Sequence, residues 1–295
     1  MEFKSGFVSI LGRPNVGKST LVNALIGEKI AIVSDKPQTT RNKIQCVLTS
    51  EKSQIIFIDT PGIVRKANTK LGEYMEKSTV SAYKGVDLLI FITTPGYIGS
   101  GDKAILANLA KIKLPTFLVI NKIDTVTEEI LDRTVDSFSD YRFNEIIKIS
   151  ALKGTVAGLI PSIEKYLKPG PRYFPDDMIT DRPQKYIVAE FLREKALHNL
   201  RQEIPHGIAV EILEMKFRGD IVDIDADIYC EKDSHKGMVI GKNGENLKKI
   251  AAAARIDMEN LLGTKVNLQV WVRVKDNWRN SDFFLKNAGY DFKKI

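Results

Sequence analysis

Cysteine is scarce: Cys46 and Cys230 are the only two in 295 residues. They cannot supply a disulfide framework or a four-ligand metal cage, and the scarcity fits a reducing compartment. Long apolar runs are missing as well. A stretch such as residues 88–92 falls far short of the ~20 residues that a membrane span needs. Residues 1–6 lead straight into an apolar, strand-like stretch at 7–11, which leaves no room for a secretory signal and sets the expectation of a cytoplasmic chain. Histidine is rare, and His198, His206 and His235 show no ligand spacing. Fixed-period repeats and low-complexity tracts are absent, which argues against a solenoid.

What remains is an ordinary globular composition, with 43% hydrophobic and 27% charged residues. At 295 residues the length points to two domains. The formal net charge is +7, and its distribution says more than its sum. Residues 1–170 carry +6, residues 171–231 carry −5 and residues 232–295 carry +6, so an acidic block precedes a basic one. The basic block is expected to face a polyanion and the acidic block to face away from it.

The stretch 168–183 holds Pro169, Pro171, Pro175 and Pro183 and has no helical or strand periodicity, which reads as an interdomain linker. Ahead of it, apolar runs at 7–11, 55–58, 88–92, 117–120 and 146–149 alternate with helical stretches at 101–112 and 128–141. Continuous apolar strands separated by helices predict an α/β domain with a mostly parallel sheet covered on both faces. Any phosphate chemistry then belongs at the carboxyl ends of those strands. Behind the linker, a helix at 184–200, strands at 208–215 and 221–228, helices at 236–240 and 245–262, and a strand at 266–274 predict a smaller α+β unit. The expected boundaries are 1–168 for the first domain, 169–182 for the linker, 183–275 for the second domain and 276–295 for a tail.

Gly12-Arg13-Pro14-Asn15-Val16-Gly17-Lys18-Ser19 fits G-x-x-x-x-G-K-[ST] between a strand and a helix. Its glycines let backbone N–H groups wrap a phosphate, Lys18 reaches the β/γ oxygens and the Ser19 hydroxyl can ligate Mg²⁺. Asn121-Lys122-Ile123-Asp124 follows another strand. A carboxylate such as Asp124 accepts hydrogen bonds from N1–H and the 2-amino group of guanine, whereas adenine offers neither. Asn121 can bridge the base and the phosphate loop, and the Lys122 stem can lie on the base plane. Asp59-Thr60-Pro61-Gly62 supplies a carboxylate for Mg²⁺ through water and a Gly62 N–H for a γ-phosphate. A threonine of Thr39-Thr40 can close on the metal and the γ-phosphate, and Thr40 is the favoured one. After the last strand comes Ser150-Ala151-Leu152-Lys153, whose Ala151 N–H can meet guanine O6.

In the second half, Val239-Ile240-Gly241-Lys242-Asn243-Gly244 places a G-x-x-G turn between two helices, with Lys248 and Lys249 beyond it. Such glycines let a single nucleic-acid strand approach, the lysines neutralise phosphates, and the apolar flanks pack against splayed bases. Asp223, Asp225 and Asp227 share one strand face, which reads as solvated and turned away from RNA. The tail with Trp278, Arg279, Phe283, Phe284 and Tyr290 either docks on its domain or helps to hold RNA.

In the order GRPNVGKST, PQTTR, DTPG, NKID and SALK, these motifs resemble the G domains of the TrmE–Era–EngA group over residues 5–167. The turn and its α-β-β-α-α-β setting resemble a type II KH domain over 183–275, and the pair in this order resembles the Era family. The resemblance implies a P-loop G domain that hydrolyses GTP to GDP with Mg²⁺ held by Ser19, Thr40 and Asp59. It adds Thr20, Val16 and Leu152 to the nucleotide contacts and gives catalytic roles to Lys18, Thr40 and Gly62. It further implies a monomer that binds single-stranded 16S rRNA near its 3′ end, acts in assembly of the 30S subunit and contacts the inner membrane peripherally. The alternative is a nucleotide-gated RNA-binding module in which turnover is incidental. Ile63 stands where Ras-type GTPases carry a water-orienting glutamine, which implies slow intrinsic turnover. Asn15 resembles the asparagine of K⁺-assisted members.

Overall fold

The computed structural model describes residues 2–36, 38–62, 67–200 and 207–294. The chain divides into two compact units. The first comprises Met1–Ala31, Thr40–Arg65 and Glu76–Asp181; the second comprises Ile32–Thr39, Lys66–Met75 and Arg182–Ile295. Two short segments that lie within the first half of the sequence therefore cluster with the second unit.

The first unit is built on β1 (Lys4–Leu11), β2 (Ile44–Thr49), β3 (Ser53–Asp59), β4 (Leu88–Thr93), β5 (Thr116–Ile120) and β6 (Glu145–Lys148). Their order in the sheet is β2-β3-β1-β4-β5-β6. All pairings along it are parallel except β2 with β3. Every residue of β3, β4 and β5 is buried, as continuous apolar runs require of strands covered on both faces. Around them run α1 (Lys18–Ile26), the second half of α2 (Lys70–Ser81), whose residues through Met75 cluster with the second unit, α3 (Ser100–Leu109), α4 (Glu128–Asp136) and α5 (Leu159–Tyr166). Successive strands leave β1 first toward β3 and then toward β4, so the crevice at its carboxyl end is where a ligand of such a sheet sits.

The proline-rich stretch is no free linker. Its first residues form β7 (Lys168–Pro169), antiparallel to the start of β1. Buried Gln54 then accepts from the Tyr173 and Phe174 N–H groups at 2.7 and 3.0 Å and donates to the Phe174 carbonyl at 2.8 Å. Further along, Val47 N–H donates to Ile179 O, and Thr180 Oγ1 donates to Gln45 O. Prolines keep this segment extended while side chains and an edge strand satisfy its backbone.

The second unit contains α6 (Gln184–Asn199), β8 (Ala209–Arg218), β9 (Ile221–Cys230), α7 (Asp233–Ile240), α8 (Glu245–Leu262), β10 (Lys265–Val274) and α9 (Asp282–Asn287). Its sheet has the order β10-β9-β8. A tight turn makes β8 and β9 antiparallel, and the α7–α8 crossover makes β10 parallel to β9. The inward row Val222, Ile224, Ala226 and Ile228 meets buried Ile187, Val188, Phe191 and Leu192 of α6 and Ile250, Ala254 and Met258 of α8 in a core. Each large aliphatic or aromatic side chain so buried contributes ~1.5–3 kcal/mol relative to exposure.

The aspartate row differs from the solvated face expected. Asp227 is 3% exposed, and its Oδ2 accepts from Arg273 Nε at 2.9 Å. Asp223 pairs with Arg218 at 3.0 Å and accepts from Asn267 at 2.9 Å. Cross-strand cations pair with these carboxylates, although Asp227 Oδ1 is buried without a hydrogen-bond partner. The tail docks on its own unit: Trp278 is fully buried and donates from Nε1 to Gly207 O at 2.9 Å, while Arg279 forks onto Glu231 at 2.9 and 2.6 Å. No helix among the described residues is long and apolar enough to cross a membrane.

Candidate functional site

The loop between β1 and α1 is shaped by close backbone approach. A Cβ on Gly12 would lie 2.4 Å from the Ile92 carbonyl oxygen, and Gly17, at φ +97°, has no room for one either. Asn15 also takes a left-handed conformation, φ 65°, so the loop turns sharply before α1 begins at Lys18. Val16 is buried beneath the loop, and Thr20 is half-buried in the first helical turn. Lys18 Nζ donates to the Gly12 and Arg13 carbonyls at 3.0 and 2.9 Å, which folds the ammonium back over the loop. Burial lowers the Lys18 pKa to about 8, against the opposing charge of Asp59.

Ser19 Oγ donates to Asp59 Oδ2 at 2.7 Å and lies 3.1 Å from Thr40 Oγ1. Of the two adjacent threonines, Thr40 therefore faces Ser19, whereas Thr39 Oγ1 turns to the Lys36 carbonyl at 2.6 Å. Asp59 is wholly buried, and its Oδ1 has no hydrogen-bond partner. Burial raises its pKa. Two hydroxyls and a carboxylate with an unsatisfied buried oxygen form an all-oxygen donor set of the kind a hard divalent cation takes. Gly62 packs on Pro14, where a Cβ would come within 2.9 Å of the ring, so the DTPG turn lies directly against the phosphate loop. Ile63 lies outside the described residues.

The base side is tied to the same loop. Asn121 Nδ2 donates to Val16 O at 2.8 Å, and Lys122 Nζ donates to Asn15 O at 2.8 Å from a residue at φ 64°. Ser150 Oγ donates to Asp124 Oδ1 at 2.5 Å and fixes one carboxylate oxygen. The Ala151 N–H is already engaged with Asn121 Oδ1 at 2.9 Å rather than open toward a base, while Leu152 is 77% exposed at the rim. Sequence reasoning missed an anchor: Arg13 Nε donates to Asp102 Oδ1 at 2.7 Å, and that carboxylate is wholly buried at the start of α3. An acidic residue in a helix's first turn reads as a simple cap, which Asp102 also is, through the Gly99 N–H at 3.0 Å.

In the second unit the G-x-x-G turn interrupts two helices. Gly241 ends α7 at φ 74°, Asn243 has φ 52°, and Gly244 at φ 77° precedes α8. A Cβ at Gly241 would lie 2.7 Å from Asn246 Cβ. Lys242, Asn243, Lys248 and Lys249 are exposed, and Ile240 is half-buried. Val239 is 0% exposed and belongs to the core, so of the pair Val239–Ile240 it is Ile240 that is open to a ligand, beside Met238 at 49% exposed.

The sequence model of a family described as 50S ribosome-binding GTPase matches residues 7–122, and that of the KH domain matches residues 203–279. GTPase Era of Clostridioides difficile is 56% identical over 299 residues, covering 99% of this chain and all of that one. GTPase Era of Alkaliphilus metalliredigens is 56% identical with the same coverage. Among solved structures, an Aquifex aeolicus Era variant bound to GDP·AlF4⁻ matches with TM-score 0.93 at 36% identity, covering 98% of this chain and 100% of the other. An Era complex with MgGDPNP and nucleotides 1506–1542 of 16S ribosomal RNA matches with TM-score 0.94, again at 36% identity and with the same coverage. With its G-domain motifs on one sheet, a KH turn behind them and relatives of this identity along nearly its whole length, the chain belongs to the Era family of GTPases.

Proposed function

We propose that this GTPase is a nucleotide-switched binder of single-stranded 16S rRNA near the 3′ end and acts in assembly of the small ribosomal subunit. The observation that carries the reading is the pairing of an Asn121/Asp124 base site, tied by hydrogen bonds to the phosphate loop, with a lysine-bearing Gly241–Gly244 turn in the second unit. The RNA identity is supported by the relative bound to nucleotides 1506–1542 of 16S rRNA, which matches along 98% of this chain. Residues 1–168 are read as the G domain and 183–275 as the KH domain, with 169–182 between them in sequence and 276–295 as the tail.

Within this reading Lys18 serves the β/γ-phosphate oxygens and exchanges the Gly12 and Arg13 carbonyls for them. Ser19 and Thr40 would hold Mg²⁺ directly and Asp59 through water, with the unsatisfied Asp59 Oδ1 as the acceptor for that water. The ion neutralises charge on the phosphoryl oxygens when bound. Gly62 N–H meets the γ-phosphate, and Ser150 orients Asp124 for the guanine N1–H and 2-amino groups. Ala151 N–H meets guanine O6 after it leaves Asn121. Ile240, Lys242, Asn243, Lys248 and Lys249 serve the RNA. Asn15 assists a K⁺ ion, and an unchanged rate between K⁺ and Na⁺ buffers removes that role. Peripheral contact with the inner membrane is the remaining family implication and is tested by flotation with anionic vesicles.

The test is crosslinking of the purified protein to total RNA with GTP or GDP bound, followed by sequencing. Reads concentrated at the 16S 3′ end in the GTP state are expected. Silence there defeats the proposed ligand.

A further inference from the structure

Helix α6 carries charge on the face that its apolar residues bury. Glu190, Arg193 and Glu194 are 8%, 0% and 1% exposed. Removing such groups from water costs several kcal/mol each unless they are well paired. Arg193 is paired locally: Nε donates to Glu190 Oε1 at 2.7 Å and Nη2 to Oε2 at 2.5 Å, a bidentate fork. Burial works against its charge, but Glu190 outweighs that and keeps the guanidinium protonated.

The face also reaches beyond the helix, within the second unit. Arg193 Nη2 donates to the Thr39 carbonyl. Glu194 Oε1 accepts from the Val33 N–H at 2.7 Å, while its Oε2 accepts from Lys195, which pairs with Asp257 of α8 at 2.5 Å. His198 Nε2 donates to the Val33 carbonyl at 2.9 Å. Positions 190, 193, 194 and 198 lie on one helical stripe, and together they hold both backbone groups of Val33 and the carbonyl of Thr39. Between these anchors Gln38 takes φ +61°, a conformation that a non-glycine residue keeps only where its surroundings impose it. All the bonds go to main chain, so they fix where the segment runs whatever its side chains are.

One peptide bond beyond Thr39 stands Thr40, whose hydroxyl is 3.1 Å from Ser19 Oγ. We propose that this stripe of α6 is a clamp on Val33 and Thr39 that delivers Thr40 to the phosphate site, making Glu194, Arg193 and His198 positioning residues for GTP hydrolysis. The inference rests on Thr40 as the residue that closes on the γ-phosphate. The clamp acts on the hydrolytic step and leaves GDP binding alone, because the contacts of Lys18, Asn121 and Asp124 do not pass through it. In Ras-type switches the γ-phosphate itself orders this segment; here α6, which belongs to the same unit as Val33 and Thr39, supplies part of the order beforehand and lowers its entropic cost.

The full chain is assayed for steady-state GTP hydrolysis and GDP affinity in five variants: Thr40→Ala, Glu194→Ala, Glu194→Gln, Arg193→Lys and His198→Ala. Glu194→Ala is expected to lower kcat about tenfold, as the loss of one charge-assisted bond does, with KM and the GDP Kd within about twofold. Glu194→Gln keeps an acceptor for Val33 N–H and is expected to restore most of the rate. Arg193→Lys cannot serve Glu190 and Thr39 together and is expected to lower kcat as well. His198 is exposed, so His198→Ala tests the clamp even if the buried variants fail to fold; its expected effect is a fall in kcat of about threefold at unchanged KM. If Thr40→Ala leaves kcat unchanged, the reading of Thr40 fails. If Thr40→Ala lowers it while folded Glu194→Ala and His198→Ala do not, the clamp fails. A loss at Glu194→Ala that Glu194→Gln shares in full, or that appears equally in GDP affinity, also overturns it.

Discussion

Gly17 and Asn121, 104 positions apart in sequence, stand so close that a Cβ on the glycine would lie 2.3 Å from Asn121 Nδ2. The phosphate loop and the base-reading strand end are thus a single packed object, joined further by the Asn121 bond to Val16 O. Gly17→Ala must displace Asn121 and also hold alanine at φ +97°, a backbone cost of ~1–2 kcal/mol by itself. The displaced group is both a loop anchor and a base contact. GDP affinity is expected to fall at least tenfold, measured by equilibrium dialysis, with circular dichroism unchanged. Wild-type affinity in this variant would show that the loop relaxes independently of Asn121.

Asp124→Asn exchanges an acceptor for a donor opposite the base 2-position. GTP binding is expected to fall about a hundredfold or more, because buried polar groups then face like partners. Xanthosine triphosphate, with a 2-oxo group, is expected to recover binding. Competition between the two nucleotides checks this, and failure of the xanthine nucleotide to gain over GTP removes Asp124 from base recognition. Ser150→Ala frees the carboxylate oxygen that Ser150 now holds at 2.5 Å and is expected to cost a smaller factor, about three- to tenfold.

Burial brings Lys18 to about 8 from an ordinary value of 10.5, and this has two consequences of opposite sign. Without nucleotide, the unfolded chain keeps the Lys18 proton to higher pH than the folded chain does, so the Lys18 contribution to stability rises with pH from about 8 toward 10.5. Binding behaves in the other direction. Phosphate oxygens favour the ammonium, so above pH 8 a proton must be taken up, and affinity falls by up to tenfold per pH unit. Titration calorimetry of GDP at pH 7.5 and 9, in buffers of different ionisation enthalpy, is expected to show uptake of about a quarter of a proton at the lower pH and of nearly a whole one at the higher. Equal proton counts at both values would mean that Lys18 does not titrate in this range.

How much of this is legible in sequence depends on where each signal lies. Strands β3 to β5 announce themselves because burial on both faces demands uninterrupted apolar residues. Strand β2 is missed because an edge strand buries Ile44, Cys46 and Val47 but leaves Gln45 and Thr49 to polar partners, a weak pattern. The proline-rich stretch looks like a tether because composition cannot show that Gln54 waits to bind its backbone. Val239 and Ile240 look equivalent beside the glycine turn, yet helix periodicity buries the first and leaves the second partly open. The charged stripe of α6 is the hardest to read. Glutamate and arginine in a helix normally lie in water, and the backbone groups that make their burial tolerable come from residues 33 and 39, far away in sequence.

The tail is a structural part of the second unit. Trp278→Ala removes a fully buried indole and orphans the Gly207 carbonyl, for an expected loss of ~3–5 kcal/mol. Urea denaturation of the full chain is expected to show the transition of the second unit moved to lower urea while that of the first is retained. Loss of RNA affinity without loss of stability would instead make Trp278 a direct contact.

The basic block is expected to act through phosphates, and salt dependence isolates that contribution. Lys242, Lys248 and Lys249 are exposed, and no ion pair to any of them is found among the described residues. Each phosphate contact on a single strand contributes about 0.7 to the slope of log affinity against log salt. Replacing all three with alanine is therefore expected to reduce that slope by about 2 and to weaken all single-stranded sequences alike. Arg273 provides the internal comparison, since its guanidinium is engaged with Asp227 at 2.9 Å and has less charge to offer a phosphate. Arg273→Ala is expected to leave the slope nearly unchanged while destabilising the second unit, because Asp227 would then be buried without its cation. If instead the slope falls with Arg273→Ala and holds in the triple-lysine variant, the strand runs over the outer face of the sheet, and the Gly241–Gly244 turn is not its binding site.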